Sequence, residues 1–261
     1  GVKLVRVLGN LTTKEFDPIL MLDSFDSINP DDYTAGFPMH PHRGIETISY
    51  VSRGKMVHRD SLGNEAGISD GEVQWMNSGS GIMHEEMVPA AERLLGVQLW
   101  LNLPAKDKMS KPSYNSIKNE DIKEIEIEGG KIRLLAGKYG EHEGYKGDYL
   151  SMDYYDIHLN ADAEVTLTME EDDSVMVFTL LGDVYIDGEH IEEKTAVKLT
   201  EGDSLTIKNG NEKAQVLYMN SRALNEPVAW AGPIVMNTQE ELQKAFLELR
   251  SNTFIKETAE Y

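Results

Sequence analysis

Gly36-Phe-Pro-Met-His-Pro-His-Arg-Gly-Ile-Glu46 is the segment from which the fold and the chemistry of this chain can first be inferred. Side chains two positions apart in a β-strand point to the same face, so His40 and His42 are expected on one face. Glu46 lies four residues beyond His42, also an even number, so its side chain is expected on the same face. Paired histidines with a nearby carboxylate are a typical beginning of a metal site.

A second segment, Gly79-Ser-Gly-Ile-Met-His-Glu-Glu86, supplies a third imidazole and another carboxylate. His84 and Glu86 are again two positions apart and are expected on one strand face. If both segments belong to one β-barrel, three imidazoles and one or two carboxylates converge. This nitrogen and oxygen set suits Fe, Mn, Ni, Cu, Co or Zn and would leave positions open for oxygen or substrate.

The rest of the chain predicts an all-β protein with one helix at the C-terminus. Short segments rich in Val, Ile, Tyr and Thr are separated by Gly, Asn-Gly and Asp-Gly turns, as expected for hairpins. Near the end, a Thr238 to Glu241 capping box precedes apolar residues at helical spacing, from Leu242 to Leu249.

A polar segment with two prolines, from Pro104 to about residue 120, is typical of a connection between domains. The halves on either side resemble each other, because a strand followed by glycine-bounded turns around Gly54 and Gly71 recurs around Gly182 and Gly202. We therefore predict two tandem β-barrels, residues 1–115 with the metal site and residues 116–261 ending in the helix.

The motifs resemble those of the cupin superfamily and, in particular, of the pirin family of bicupins. The stretches that carry the resemblance are His40-Pro-His-Arg-Gly-Ile-Glu-Thr-Ile-Ser-Tyr50, His58-Arg-Asp-Ser-Leu-Gly-Asn64, Gln74-Trp-Met76 and Gly81-Ile-Met-His-Glu-Glu86. Further similarity lies at residues 17–23, 101–104, 226–229 and 232–238. The resemblance covers most of the chain and implies two tandem cupin barrels.

By this resemblance one iron, most simply Fe(II), is held by His40, His42, His84 and Glu86. Generic cupins use the carboxylate at the position of Glu46, whereas pirins use the one two residues beyond the last histidine. We favour Glu86 as the ligand and place Glu46 beside the metal, with either carboxylate as the catalytic base. His58 is expected to be a strand residue bonded to a neighbour, with a role behind the ligands as the alternative.

The second half is expected to lack a metal site. Aligning the paired glycines places Thr168 and Glu170 at the positions of His40 and His42, and Gln215 at that of His84. His158 and His190 are isolated in sequence and are expected at the surface or in turns.

Composition excludes several classes of protein. No apolar run approaches the roughly 18 residues of a membrane span. The net charge of −20 disfavours direct nucleic-acid and anionic-lipid binding, and the absence of cysteine excludes disulfides and thiolate sites. The first residues lack the apolar core of a signal peptide, so we expect a cytoplasmic protein, trimmed or processed at its N-terminus.

The resemblance implies two functions. The first is a quercetin 2,3-dioxygenase-type oxygenase, with a small planar aromatic substrate and O2 as reactants. The second is an iron-dependent regulatory protein that binds a protein partner without turnover, for which the acidic charge favours a basic partner. A zinc cupin with isomerase or hydrolase activity ranks lower.

Overall fold

The computed structural model describes residues 1–258, which divide into two compact units. Unit 1 comprises Gly1–Lys14, Ile19–Lys118 and the segment from Leu224 onward, and unit 2 comprises Glu15–Pro18 and Asn119–Ala223. The predicted division at 115/116 lies close to the end of the second of these segments. The C-terminal segment differs from the prediction, because its residues belong to unit 1 and not to unit 2.

Unit 1 is built from antiparallel strands within residues 1–118. In chain order they are β1 (Val5–Leu8), β2 (Ile19–Ser27), β3 (Phe37–His42), β4 (Ile45–Arg53), β5 (Met56–Asp60), β6 (Glu65–Ile68), β7 (Glu72–Asn77), β8 (Ile82–Met87), β9 (Leu94–Asn102) and β10 (Ser113–Ile117). Short 3-10 helices lie at Pro30–Asp32 and Ala105–Asp107. The strands form a six-stranded sheet in the order β1-β2-β9-β4-β7-β10 and a four-stranded sheet in the order β3-β8-β5-β6.

Unit 2 repeats this plan. Its strands are β11 (Lys123–Ile127), β12 (Gly130–Ala136), β13 (Lys138–Tyr139), β14 (His142–Glu143), β15 (Met152–Leu159), β16 (Glu164–Thr168), β17 (Ser174–Leu181), β18 (Val184–Ile186), β19 (Glu189–Ile191), β20 (Ala196–Lys198), β21 (Ser204–Asn209) and β22 (Ala214–Ser221). A six-stranded sheet in the order β11-β12-β15-β22-β17-β20 accompanies a four-stranded sheet in the order β16-β21-β18-β19. The predicted all-β architecture is confirmed.

The C-terminal segment returns to unit 1 as a hairpin and a helix. Strands β23 (Ala229–Ala231) and β24 (Ile234–Met236) pair, and α1 (Gln239–Arg250) follows. Thr238 and Glu241 form the predicted capping box, and Leu242 and Ala245 are buried against the hairpin. Across residues 1–258, no helix combines the length and apolar character needed to cross a membrane.

The sheets of each unit enclose an apolar core because alternate residues of each strand face inward. In unit 2 the core contains Val165 and Leu167 from one sheet and Ile157 and Val216 from the other. In unit 1 a matching cluster contains Phe25, Val51 and Met56, but the inward faces of β5 and β8 also carry the buried polar residues His58, His84 and Glu86. This difference locates the candidate site.

Two glycines permit the close backbone approaches around this polar face. Gly36 has φ +58°, and a Cβ there would lie 2.4 Å from the carbonyl oxygen of Glu86. Gly44 has φ +81°, and a Cβ there would lie 1.9 Å from the carbonyl oxygen of Val235. Any side chain would therefore push apart the elements that these glycines join.

Candidate metal centre

The pairing of β3 and β8 brings the three predicted histidines together. His40 lies directly opposite His84, and His42 lies opposite Ile82. The register shifts between Phe37 and His40, as in a β-bulge, which re-aims the side chains that follow. Both prolines of β3 are tolerated because this strand lies at the edge of its sheet.

The three imidazoles meet through their Nε2 atoms. The Nε2 of His40 lies 3.0 Å from the Nε2 of His42 and 3.0 Å from the Nε2 of His84. His42 and His84 are buried, and His40 is partly exposed. The cluster is therefore reachable from the side of His40.

Hydrogen bonds at the opposite ring nitrogens decide which nitrogen of His40 and His42 carries the proton. The Nδ1 of His40 lies 2.7 Å from the carbonyl oxygen of Pro38, and the Nδ1 of His42 lies 3.0 Å from that of Pro233. A carbonyl oxygen only accepts, so both Nδ1 atoms carry hydrogen. In the neutral rings both Nε2 atoms then present lone pairs to each other, and only a cation between them can satisfy both.

The electrostatics of the pocket keep two of the rings neutral. Burial, with a smaller contribution from the charge of His40, lowers the pKa of His42 to about 3. Burial, with the neighbouring imidazoles, lowers the pKa of His84 well below its ordinary value. Neutral imidazole is the form that binds a metal.

These three residues can hold a metal ion. Their ligand atoms all lie within 4.8 Å of one another. Nitrogens bound about 2.1 Å from one ion at right angles would lie ~3.0 Å apart, in agreement with the two Nε2–Nε2 separations in the structure. Among residues 1–258, His40, His42 and His84 form the group of donors with this arrangement.

Glu86 lies on the same face of β8 as His84 but is held by amides. The Nε2 of Gln98 donates to both of its oxygens, at 3.2 and 3.1 Å, and the Nε2 of Gln74 donates to Oε1. Burial raises the pKa of Glu86, against the opposing effects of the Gln98 hydrogen bond and nearby His40. The carboxylate lies near the imidazoles, outside the group whose ligand atoms converge.

Glu46 occupies a different sheet from the one that the parity argument implied. Strand β3 ends at His42, and the chain crosses at Gly44 into β4, so the two-residue alternation does not continue to Glu46. The Glu46 side chain is buried, and its Oε1 accepts a hydrogen bond of 3.0 Å from the indole nitrogen of Trp75. Gly44, with φ +81°, and the change of sheet interrupt the alternation, so the placement of Glu46 beside the metal stays a prediction.

His58 and Asp60 extend the polar face onto the neighbouring strand. In the register of β5 and β8, His58 lies opposite Glu86 and Asp60 lies opposite His84. The Nε2 of His58 is 2.7 Å from Oδ2 of Asp60, and both side chains are fully buried. Burial alone would raise the pKa of Asp60, but hydrogen bonds from His58 and Asn64 outweigh it and lower this pKa.

Contacts with the C-terminal segment orient the ligand strand, and these were missed from the sequence. Pro233, which binds the Nδ1 of His42 through its carbonyl oxygen, is remote in sequence. Beside it, buried Arg43 pairs with Glu248 at 2.7 Å and lies 4.2 Å above the ring of Phe254. The backbone acceptor leaves no side-chain signature in the sequence.

Strand register corrects the residues that correspond to the ligands in unit 2. Thr168 is the exposed last residue of β16, Glu170 follows that strand, and Gln215 lies on β22 of the six-stranded sheet. The four-stranded sheets instead align β3 with β16, β8 with β21 and β5 with β18. The glycine alignment was wrong because Gly71 precedes β7, whereas Gly202 precedes β21, the counterpart of β8.

The inward residues at the corresponding positions of unit 2 are aliphatic. Ile207 of β21 lies opposite both Val165 and Ile186, as His84 of β8 lies opposite both His40 and Asp60. The histidines of this half lie elsewhere. His158 on β15 is bonded to Asp156 and His190 on β19 to Asp183, and their side chains are 37% and 47% exposed.

Comparison with known families agrees with both halves of this architecture. The family model described as pirin matches residues 1–101, and the model described as the pirin C-terminal cupin domain matches residues 154–255. The chain belongs to the pirin family. The resemblance inferred from the sequence motifs is confirmed, and so are the two cupin-type domains.

Other pirins and related structures align over nearly the whole chain. A candidate quercetin 2,3-dioxygenase of Pseudomonas aeruginosa is 38% identical, with 96% of this chain and 91% of the relative covered. Human pirin is 35% identical, with 96% and 87% covered. The crystal structure of a quercetin 2,3-dioxygenase from Acinetobacter baumannii matches with a TM-score of 0.89 and 31% identity, covering 97% of this chain and 92% of that one.

Proposed function

We propose that this pirin is a metal-dependent oxygenase of the quercetin 2,3-dioxygenase type, with Fe(II) as the metal and a flavonol and O2 as reactants. The convergence of three imidazole nitrogens carries the proposal, because lone pairs 3.0 Å apart need a cation between them. Similarity to the Acinetobacter enzyme at 31% identity supports the substrate class.

His40, His42 and His84 would hold the metal, and Glu86 would be the fourth ligand. Bound Fe(II) would supply a Lewis-acidic centre at which a flavonol oxygen and O2 can be brought together. The position of Glu86 two residues beyond His84 on the same strand face supports this assignment.

A carboxylate must also accept the proton of the flavonol hydroxyl. Burial raises the pKa of Glu86, which makes it a stronger base than a solvated glutamate. Gln74 and Gln98 fix its orientation by donating to its oxygens. Glu46 is the alternative base, oriented by Trp75.

The experiment that tests this function is oxygen uptake by protein loaded anaerobically with Fe(II), after quercetin is added. We expect uptake that requires both iron and an intact ligand set, so that His42→Ala with the same added iron gives none. A His190→Ala variant, changed at an exposed position of unit 2, is the matched control and should retain the full rate. Stoichiometric iron without uptake would refute oxygenase activity and favour the regulatory function.

The two carboxylates are distinguished by measuring metal content and rate separately. Glu86→Gln should lower both, because it removes a negatively charged ligand. Glu46→Gln should lower the rate while the metal content stays at the wild-type value. Complete metal loss in Glu46→Gln would exchange the two assignments.

A further inference from the structure

We infer that His58 and Asp60 are positioning residues that hold His84 in its metal-binding tautomer. This inference rests on the proposed metal site and concerns residues that would not themselves bind the metal. It depends on a continuous line of hydrogen bonds across β5 and β8, from the Asp60 carboxylate through His58 to His84.

The line begins at a carboxylate that can only accept. Oδ1 of Asp60 accepts from the backbone nitrogens of Leu62 and Asn64, at 2.9 and 3.1 Å. Oδ2 accepts from the side-chain amide of Asn64 at 2.9 Å. With these donors on both oxygens, the remaining contact, to Nε2 of His58 at 2.7 Å, must be donated by the imidazole.

The proton on Nε2 of His58 leaves its Nδ1 as an acceptor. That Nδ1 lies 3.4 Å from the Nδ1 of His84, so His84 donates there through a long hydrogen bond. The remaining nitrogen of His84, Nε2, then has a lone pair and faces His40 at 3.0 Å. Asp60 and His58 thus perform for His84 the task that single carbonyl oxygens perform for His40 and His42.

Packing fixes the plane of the intermediate ring. Tyr114 stacks on His58 with centroids 3.9 Å apart and planes inclined by 13°. The Tyr114 hydroxyl lies 3.4 Å from Oε1 of Gln74, whose amide nitrogen binds Glu86. His58 is fully buried, so its ring cannot rotate freely to a competing partner.

The first test measures metal affinity without requiring turnover. Co(II) is titrated into the metal-free protein, with affinity from chelator competition and coordination from the visible absorption bands. His58→Phe, which keeps the ring stacked on Tyr114 but removes both nitrogens, should bind Co(II) about 10 to 100 times more weakly. His58→Gln, which retains an acceptor and a donor, should recover most of this loss.

The chain offers a matched control in unit 2. Asp156 and His158 are also two residues apart on a strand and also bonded, at 2.8 Å, but no metal-binding group within residues 1–258 includes them. His158→Phe should therefore leave Co(II) affinity unchanged. Wild-type protein that fails to bind Co(II) would refute the metal site itself, whereas equal binding by wild type and His58→Phe would refute only the positioning role.

A second measurement needs no substitution and so does not depend on a variant folding. In Zn(II)-loaded wild-type protein, ¹⁵N NMR of the imidazoles should show His84 protonated at Nδ1, and His58 protonated at Nε2 alone. A doubly protonated His58, or one protonated only at Nδ1, would overturn the inference. A purely structural role for His58 would not fix this pattern.

Discussion

On corresponding strands, unit 1 carries inward-facing histidines and unit 2 carries inward-facing aliphatic residues. In unit 1, the inward positions of β3 and β8 carry His40, His42 and His84. In unit 2, the corresponding strands β16 and β21 carry Val165 and Ile207, which are buried in the apolar core. A single scaffold therefore accommodates either a polar cluster or a hydrophobic layer.

The difference shows what each layer requires in order to be stable. Aliphatic side chains in unit 2 gain free energy from burial itself. The imidazoles in unit 1 lose hydration on burial and must be compensated by partners, which are the carbonyl oxygens of Pro38 and Pro233 and the nitrogen of His58. A buried polar cluster that costs folding free energy is expected at a site where the protein binds a ligand.

The largest effect should follow from removing one ligand of unit 1. His42→Ala should abolish tight metal binding, with affinity reduced by more than the roughly 100-fold cost of losing a supporting residue behind a ligand. Metal content after dialysis against Fe(II) under anaerobic conditions measures this. Full retention of the metal would show that His42 is not a ligand.

The corresponding change in unit 2 should affect stability and leave metal binding unaltered. Ile207 is fully buried, so Ile207→Ala should lower the free energy of unfolding by about 2 to 5 kcal/mol through lost burial and a cavity. Denaturant unfolding and metal content are measured on the same sample. Metal loss from folded Ile207→Ala protein would contradict the separation of roles between the units.

Acidic pH should weaken the metal-free protein through the histidines of unit 1. Because burial lowers the pKa of His42 to about 3, the unfolded chain binds a proton below about pH 6.5 that the folded chain does not. Protonation of His42 in the unfolded chain should therefore lower the free energy of unfolding by about 2 kcal/mol at pH 5. In His42→Leu, which introduces an aliphatic residue as in unit 2, the difference in stability between pH 7 and pH 5 should shrink by this amount.

The smallest effect is expected at an exposed histidine of unit 2. His190 is 47% exposed and bonded to Asp183. His190→Ala should change the free energy of unfolding by no more than about 0.5 kcal/mol. Metal content should equal that of the wild type, and a measurable decrease would reveal a metal contact in unit 2.

The sequence predicted the elements with strong local signals. Alternation and turn residues predicted the strands, and the capping box at Thr238 predicted the start of the helix. The spacing of His40, His42 and His84 predicted their convergence. The two-residue alternation does not extend to Glu46, because the chain passes at Gly44 from the four-stranded to the six-stranded sheet. The glycine alignment misplaced Gln215, because Gly71 precedes β7 whereas Gly202 precedes β21, the counterpart of β8.

The sequence by itself determined the all-β class, the histidines and the family, because these depend on residue types and on spacing within single strands. Only the tertiary structure decided what lies behind each imidazole and which unit the C-terminal segment joins. Pro233 reaches His42, and His58 reaches His84, through contacts between residues far apart in the chain. Such contacts are set by strand register and backbone carbonyls, and neither leaves a pattern in the local sequence.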